Sequence, residues 1–244
     1  MKTLKIVFAV VYRIWFYILL MSYILVFLPV ILISIIKEDW YPMFFWLARR
    51  WAYFILFGMG LKPVVHWETE LEKGKSYMLV ANHTSMLDIM LMLYLNKTPF
   101  VFVGKAELAK IPIFGFFYKR TCILVDRSSI ISRKAVYDSA QQKLSKGYGV
   151  CIFPEGGVPD DESILLDDFK DGAFRLAIEH KIPIVPMTFL DCKKRLPYSF
   201  KGGTGKLRVV VHPIIPTQIL EIEDRRTLKY EVRDVILKTL QKYS

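Results

Sequence analysis

Apolar residues follow one pattern up to about residue 61 and a different pattern after it. In the first part they are almost continuous, and no charged residue lies between Ile14 and Ile36. A helix of that length is sufficient to cross the roughly 30 Å hydrocarbon core of a bilayer. The stretch is too long for the apolar core of a signal peptide, and no small-residue cleavage site follows it. The pattern therefore predicts a membrane-embedded helix that either spans the bilayer or enters one leaflet.

A second apolar segment, from Trp40 to Leu61, is rich in aromatic residues and is interrupted by Arg49 and Arg50. Tryptophan and tyrosine are favoured at the headgroup level of a bilayer, whereas adjacent arginines are costly at its centre. We therefore expect the second helix to lie in or near the interface. Together the two helices are predicted to form a membrane anchor over residues 1–61. The alternative is that both are core helices of a soluble protein.

From Lys62 onward, short apolar runs alternate with stretches of helical periodicity. Strands are predicted at residues 63–67, 77–80, 100–103, 122–125, 148–153, 182–189 and 207–212. Helices are predicted at residues 85–95, 106–118, 132–145, 169–179 and around 228–240, the second of them interrupted at Pro112 and Gly115. Alternation of this kind is typical of an α/β fold. It predicts a mixed, largely parallel sheet flanked by helices across residues 62–244.

Composition agrees with a membrane partner and argues against nucleic acid. The chain is 53% hydrophobic, with a formal net charge of +11 and a mean hydropathy of +0.31. A basic and apolar chain suits an anionic lipid surface, and the sequence has neither zinc-finger spacing nor an RNA-binding aromatic signature. The three cysteines, Cys122, Cys151 and Cys192, are odd in number and widely spaced. They indicate a reducing compartment and no disulfide framework.

The first candidate for chemistry is the segment Ala81-Asn82-His83-Thr84-Ser85-Met86-Leu87-Asp88, where a predicted strand gives way to a predicted helix. In α/β sheets ligands bind at such strand ends. His83 could serve as a general base, with Asp88 fixing its tautomer and stabilising the imidazolium that forms. Two simpler alternatives remain at this point. Ser85 and Asp88 have the spacing of a capping box, and His83 could hydrogen-bond only to backbone.

A second candidate corner follows the strand that ends near Phe153. Glu155 could hold a polar group, while Gly156 and Gly157 would let backbone approach a ligand closely; a simple glycine-rich turn is the alternative. Lys105 and Arg127 also follow predicted strands and could pair with a phosphate, although each alone could be a solvated charge. Lys170 and Arg175 could also face this site. The acidic loop over residues 160–168 has no known metal-ligand spacing, so no metal site is predicted.

Four blocks of residues, in this order, resemble the glycerophospholipid acyltransferases, and specifically the 1-acyl-sn-glycerol-3-phosphate acyltransferases. The resemblance covers roughly residues 63–215, with a similar membrane motif before them. The blocks are His83–Asp88 with the spacing H-x4-D; Gly104-Lys105-Ala106-Glu107-Leu108 with Pro112, Gly115 and Val125-Asp126-Arg127; Phe153-Pro154-Glu155-Gly156; and Val185-Pro186 after Ile182-Pro183.

The resemblance implies transfer of an acyl group from acyl-coenzyme A or acyl-acyl carrier protein to the hydroxyl of a lysophospholipid, without a bound cofactor. The implied acceptor is 1-acyl-sn-glycerol-3-phosphate and the product phosphatidic acid. His83 would deprotonate the acceptor hydroxyl and Asp88 would orient His83. Lys105, Arg127 and Glu155, with Gly156 and Gly157, would bind the acceptor. The implied location is a membrane, with this acyltransferase domain on the cytoplasmic side of the inner (plasma) membrane.

One departure from the family pattern concerns the acceptor. The third block of the family usually continues with Thr and Arg, whereas Gly157 and Val158 stand at those positions here. A valine cannot bind a phosphate. Either another cation, such as Lys105, Arg127, Lys170 or Arg175, replaces the arginine, or the acceptor is a lyso-aminolipid such as a lyso-ornithine or lyso-glycine lipid. A non-catalytic lipid-binding member is a third alternative, against which the presence of both His83 and Asp88 argues.

Overall fold

The structure is a computed structural model that describes residues 2–111, 114–126, 130–159, 161, 163–199 and 201–243. Side chains are described from residue 6 onward, and those of residues 130–134 are left out. The chain forms an N-terminal helix pair followed by one α/β sheet. The predicted fold class, a mixed and largely parallel sheet flanked by helices, is confirmed.

The N-terminal pair consists of α1 (Lys2–Ser34) and α2 (Tyr41–Gly58), joined through a short 3-10 helix at Glu38–Trp40. Helix α1 extends well before Ile14, where the uncharged stretch begins, and includes Arg13. Among the described helices, α1 is long and apolar enough to cross a membrane by length and composition, and α2 is not. This agrees with the different positions that the sequence predicts for the two.

Arg13 is accommodated in the apolar helix α1 because backbone carbonyls satisfy its guanidinium group. The guanidinium donates to the carbonyl oxygens of Tyr198 at 2.9 Å and Ser199 at 3.0 Å, and also to that of Pro197. A buried or lipid-facing charge must find such partners, since leaving it unpaired is costly. The contact ties the start of α1 to the loop that follows the sixth strand of the sheet.

Within the described residues the sheet has seven strands in the order β1-β7-β6-β2-β5-β3-β4. Strands β2 to β6 run parallel to one another, β7 is antiparallel to β6, and β1 is parallel to β7. The bounds are β1 Leu61–Trp67, β2 Met78–Ala81, β3 Phe100–Lys105, β4 Ile123–Val125, β5 Gly149–Ile152, β6 Ile184–Phe189 and β7 Gly205–Val211. The central strands β2 and β6 are buried along their whole length, which explains their unbroken apolar sequence.

Helices cover both faces of the sheet. The remaining ones are α3 Leu87–Leu95, α4 Phe114–Thr121, α5 Ile130–Ser145, α6 Gly172–Glu179, α7 Cys192–Arg195 and α8 Arg225–Tyr243. Crossovers between parallel strands are right-handed as a rule, and with this strand order the rule places α3 and α4 on one face and α5 and α6 on the other. Helix α2 packs on α3, and α8 packs on α6 and β6. The N-terminal helix pair therefore shares a face of the sheet with α3 and α4.

Most predicted elements are present within a few residues of their predicted bounds, with two exceptions. The first is the interrupted helix predicted over residues 106–118, which consists of a 3-10 helix, Ala106–Lys110, and of α4. The predicted interruption at Gly115 is wrong, because Gly115 lies within α4. Pro112, where an interruption is predicted, lies outside the described residues. The short helix α7 was not predicted, because its sequence Cys-Lys-Lys-Arg has no apolar periodicity.

Candidate active site

The two candidate corners meet at the carboxyl ends of β2 and β5. These strands pair directly, with Val80 opposite Ile152, so the segments that follow them lie side by side. Asn82 ties the first corner to β6 through two hydrogen bonds to the backbone of Phe189, at 3.0 and 2.8 Å. The sheet thus places His83 and Glu155 next to each other although they are far apart in the chain.

His83 and Asp88 form the predicted pair. The Nδ1 atom of His83 lies 2.9 Å from Oδ2 of Asp88, whose side chain is completely buried. Because a carboxylate only accepts hydrogen bonds, this contact places the proton of neutral His83 on Nδ1. The other ring nitrogen, Nε2, is left to accept a proton. The imidazole is 17% exposed, so a ligand can reach it.

Asp88 holds the turn as well as the histidine. The same Oδ2 atom accepts hydrogen bonds from the backbone N–H groups of Thr84, at 2.5 Å, and Ser85, at 2.8 Å. The bond to Ser85 N–H is half of the capping box that the spacing predicts. The other half is absent: the Ser85 hydroxyl bonds to Leu87 N–H instead, at 3.3 Å. The capping interpretation and the catalytic one are therefore compatible, since one carboxylate oxygen serves both.

A third segment, from α7 to Ser199, packs behind this corner. The Ser85 hydroxyl donates to the carbonyl of Leu196 at 2.7 Å, and the loop beyond Leu196 is the one that Arg13 binds. The buried Cys192 thiol lies beside Asp88, and burial together with that carboxylate raises the pKa of the thiol well above its ordinary value. Cys192 is therefore a neutral packing group and not a nucleophile. Nothing in the sequence placed this segment behind Asp88.

Glu155 braces the two corners. Its Oε1 atom accepts a hydrogen bond from His83 N–H at 2.6 Å, and its Oε2 atom accepts one from Asp167 N–H at 2.9 Å. The residue is only 4% exposed. Both oxygens are thus engaged by backbone, which makes Glu155 a support for the position of His83. The predicted contact of Glu155 with substrate stays a prediction.

Burial also alters the ionisation of Glu155. Removal from solvent raises its pKa to about 7, against the opposing effect of the two backbone N–H groups and of His83. The folded protein therefore holds this proton more tightly than the unfolded chain does. The resulting stabilisation is fully present below the ordinary pKa of 4.5 and is lost as the pH rises through about 7.

We expect Glu155→Gln to remove this loss of stability. Between about pH 5 and pH 8 the unfolding midpoint of the wild type should fall by several degrees relative to that of the variant. The raised pKa of Glu155 corresponds to a loss of roughly 2–3 kcal/mol in the free energy of unfolding over this range. Thermal unfolding in detergent at the two pH values measures the difference. Glu107→Gln, at an exposed position, is the control. Parallel pH dependence in wild type and Glu155→Gln would contradict the assignment.

Phe153 forms one wall of the site. Its ring stacks on the His83 imidazole with centroids 4.3 Å apart and planes 15° from parallel, and the Phe102 ring stacks behind it. The contact restricts rotation of the imidazole and keeps water from one of its faces. Phe153 belongs to the third sequence block, but its role was not predicted because nothing in the sequence placed it against His83.

Lys105 and the glycine pair lie together. Gly156 has a positive φ of +84°, a conformation that favours glycine. A Cβ atom built on Gly157 would lie 4.0 Å from the Nζ atom of Lys105. The ammonium group therefore stands beside the Glu155-Gly156-Gly157 turn, and the missing side chain of Gly157 leaves it room.

No described side-chain contact brings the other predicted cations into the site. Arg127 lies outside the described residues. Arg175 is on α6, where its guanidinium pairs with Glu179 at 2.8 Å. Lys170 is exposed, and its backbone N–H bonds to the carbonyl of Pro154 at 2.9 Å. Among described residues, no group of three or more His, Cys, Asp and Glu side chains could hold a metal ion.

Comparison with known proteins supports the resemblance. A family model described as Acyltransferase matches residues 62–190. The chain is 29% identical to the probable 1-acyl-sn-glycerol-3-phosphate acyltransferase of Mycoplasma pneumoniae, over 74% of this chain and 72% of that protein. It is 26% identical to the 1-acyl-sn-glycerol-3-phosphate acyltransferase of Borreliella burgdorferi, over 75% and 73% of the two chains.

The fold is also that of a solved acyltransferase. The crystal structure of the 1-acyl-sn-glycerophosphate acyltransferase of Thermotoga maritima superposes with a TM-score of 0.77 at 20% sequence identity, covering 99% of this chain and 97% of that one. That likeness includes the N-terminal helices as well as the sheet. With the family match spanning the strands that carry His83, Lys105 and Glu155, the chain belongs to the acyltransferase family.

Proposed function

We propose that the protein transfers a fatty acyl group from an acyl thioester to the free hydroxyl of 1-acyl-sn-glycerol-3-phosphate, forming phosphatidic acid. The observation that carries the proposal is the His83–Asp88 pair, 2.9 Å apart, at a strand end in a chain of the acyltransferase family. The names of the relatives support the acceptor. Acyl-coenzyme A or acyl-acyl carrier protein is the proposed donor.

In the proposed reaction His83 acts as a general base and then as a general acid. Its Nε2 atom takes the proton of the acceptor hydroxyl, and the oxygen attacks the thioester carbonyl carbon. The carbon–sulfur bond breaks, and the leaving thiolate takes the proton back from the imidazolium, so the histidine is regenerated. Asp88 stabilises the transient positive charge. The acceptor itself is the nucleophile, so no acyl-enzyme forms.

The helix pair would place this chemistry at a membrane. Each CH₂ group buried in lipid is worth about 0.8 kcal/mol, so a long-chain acceptor and a two-chain product stay in the bilayer. Arg13 connects α1 to the loop behind the catalytic corner, which would hold the corner near the lipid surface. We place the acyltransferase domain on the cytoplasmic side, where acyl thioesters are made.

The experiment is an assay of purified protein in detergent or vesicles, with products identified by mass spectrometry. The donors are acyl-coenzyme A and acyl-acyl carrier protein. The acceptors are lysophosphatidic acid, lysophosphatidylcholine, a lyso-ornithine lipid and a lyso-glycine lipid. Phosphatidic acid as the main product supports the proposal. Turnover of the aminolipids alone would overturn the proposed acceptor. That outcome would fit Val158, which stands where the family has an arginine. Lipid binding without turnover of any pair would overturn the proposed activity.

The Lys105 ammonium group lies beside the glycine turn, and we expect Lys105→Gln to weaken acceptor binding. Loss of a charge-assisted bond to phosphate costs about 1.5–3 kcal/mol, or roughly a tenfold to hundredfold rise in KM for lysophosphatidic acid. Steady-state kinetics at varied acceptor concentration measures it. Lys97→Gln, an exposed lysine in the turn before β3, is the control. An unchanged KM in Lys105→Gln would remove Lys105 from the acceptor site.

A further inference from the structure

We propose that a second element besides the N-terminal helix pair contacts the lipid bilayer. It consists of the 3-10 helix Ala106–Lys110 with Ile111, and of α4, Phe114–Thr121; we call it the aromatic hairpin. It begins at the carboxyl end of β3, directly after Lys105, and so borders the site. Residues 112 and 113 lie outside the described part of the chain, and nothing below rests on them.

The hairpin presents large apolar side chains to solvent. Leu108, Ile111, Phe114 and Phe116 are 39%, 46%, 47% and 44% exposed. Single exposed apolar residues need no explanation, but a group of four on one short segment marks a surface that is covered in use. Other exposed large apolar residues lie mainly on α1 and α2, the proposed membrane anchor.

The backbone of the hairpin is fixed, so these side chains do not turn inward. A Cβ atom at Gly115 would collide with the carbonyl oxygen of Ala109, which shows that α4 packs directly on the 3-10 helix. Likewise a Cβ at Gly104 would collide with the buried Tyr118 hydroxyl, which lies against β3. Two glycines therefore allow the close packing that holds Phe114 and Phe116 outward.

Charge complementarity favours a lipid surface as the partner. Lys110, Lys119 and Arg120 are exposed on the same segment, and the guanidinium of Arg120 lies 3.8 Å from the centroid of the Phe116 ring. Aromatic rings flanked by Lys and Arg are typical of segments that lie at the headgroup level of anionic bilayers. One acidic residue, Glu107, is present in the described part of the hairpin.

The hairpin also continues the surface of the helix pair. Helix α4 lies on the same face of the sheet as α2 and α3, and the Tyr41 hydroxyl at the start of α2 is 3.5 Å from the carbonyl of Thr121 at the end of α4. A cleft of about 530 Å³ near this contact is lined by residues that follow α1, by the end of α4 and by α5, and it contains Lys37, Lys119 and Arg120. One bilayer surface can therefore contact both elements. It would meet the hairpin on one side of His83 and the Arg13-bound loop on the other.

The test uses the full-length protein and, for its kinetic part, rests on the proposed acyltransferase activity. In vesicles of phosphatidylethanolamine and phosphatidylglycerol, the double variant Phe114→Ser, Phe116→Ser should raise KM for long-chain lysophosphatidic acid about tenfold. The KM for a short-chain, monomeric acceptor should stay the same, because that acceptor does not need the bilayer. Tyr230→Ser, at an exposed aromatic position on α8 and the opposite face, is the matched control.

A second measurement does not depend on activity. A bimane label on Leu108→Cys should be quenched by lipids that carry a nitroxide near the headgroup, whereas the same label on Tyr230→Cys should not. Quenching at position 108 supports the proposal whether or not the wild type shows turnover. An absence of turnover would overturn only the proposed function. A label at 108 that is unquenched in vesicles would overturn the proposal. So would a double variant whose KM for both acceptors is unchanged. Concentration-dependent dimers of the wild type that are lost in the double variant would also overturn it, because the face would then contact a second copy of the chain.

Discussion

His83→Ala should lose roughly a hundredfold to ten-thousandfold in kcat/KM for acyl transfer while keeping its fold. A positioned general base raises a rate by a factor of about 10²–10⁴, and the Nε2 atom of His83 is the proposed proton acceptor. The imidazole is partly exposed and stacks only on Phe153, so its removal leaves little buried space. The Asp88 carboxylate keeps its bonds to the Thr84 and Ser85 N–H groups. We therefore expect normal expression and an unfolding midpoint close to that of the wild type.

The measurement is initial-rate kinetics with lysophosphatidic acid and an acyl thioester, together with thermal unfolding of the same samples. His66→Ala is the matched control, because His66 is exposed on β1 and distant in the sheet order from β5. A folded His83→Ala protein that retains the full rate would show that His83 is not the base.

Asp88→Asn should lose both activity and stability. Asp88 is completely buried, and one of its oxygens accepts three hydrogen bonds at 2.5–2.9 Å. An asparagine oxygen can keep some of them, but the neutral amide no longer stabilises the imidazolium. Loss of the acid that orients a catalytic histidine costs about 10⁴ in rate. Weakened charge-assisted bonds add about 2–4 kcal/mol of lost stability.

Stability and kinetics have to be measured together for this variant. Rates should be taken at a temperature where unfolding curves show the variant to be folded, and Asp234→Asn, an exposed position on α8, should match the wild type in both. The expected pattern is a fall in kcat with little change in KM, since Asp88 does not reach the acceptor. Loss of stability at an unchanged kcat would show that Asp88 serves only as a cap of the turn.

The two N-terminal helices show how far an apolar pattern predicts structure. An uncharged stretch requires a helix in a membrane or a core, because only there are its side chains and backbone both satisfied. Helix α1 is longer than the uncharged stretch, because it continues to Lys2 on the far side of a charged residue. Arg13 lies within the helix since the carbonyls of residues 197–199 satisfy its guanidinium. Those carbonyls are far away in the chain, so no local pattern indicates them.

The strands after Lys62 were predicted because buried parallel strands are unbroken apolar runs, and β2, β5 and β6 have that composition. The reversal of β1 and β7 was not predicted, since strand direction depends on which edges pair. The segment over residues 106–121 has apolar residues at helical spacing, but Gly115 and Tyr118 pack tightly against Ala109 and Gly104. The sequence predicts that this segment is interrupted, but only tertiary packing leaves its aromatic side chains exposed.

That His83 and Asp88 lie at one strand-to-helix corner follows from the sequence alone, because residues five positions apart stay close together across a single turn. The sequence also determined the order of the blocks that identify the family. Three other contacts are visible only in the folded protein. Glu155 accepts a hydrogen bond from His83 N–H, and Phe153 stacks on the imidazole. Arg13 binds the loop that packs behind Ser85. Each of these contacts joins residues that lie on different strands or helices. Their proximity follows from the pairing of β2 with β5 and β6 and from the packing of α1, and not from their spacing in the chain.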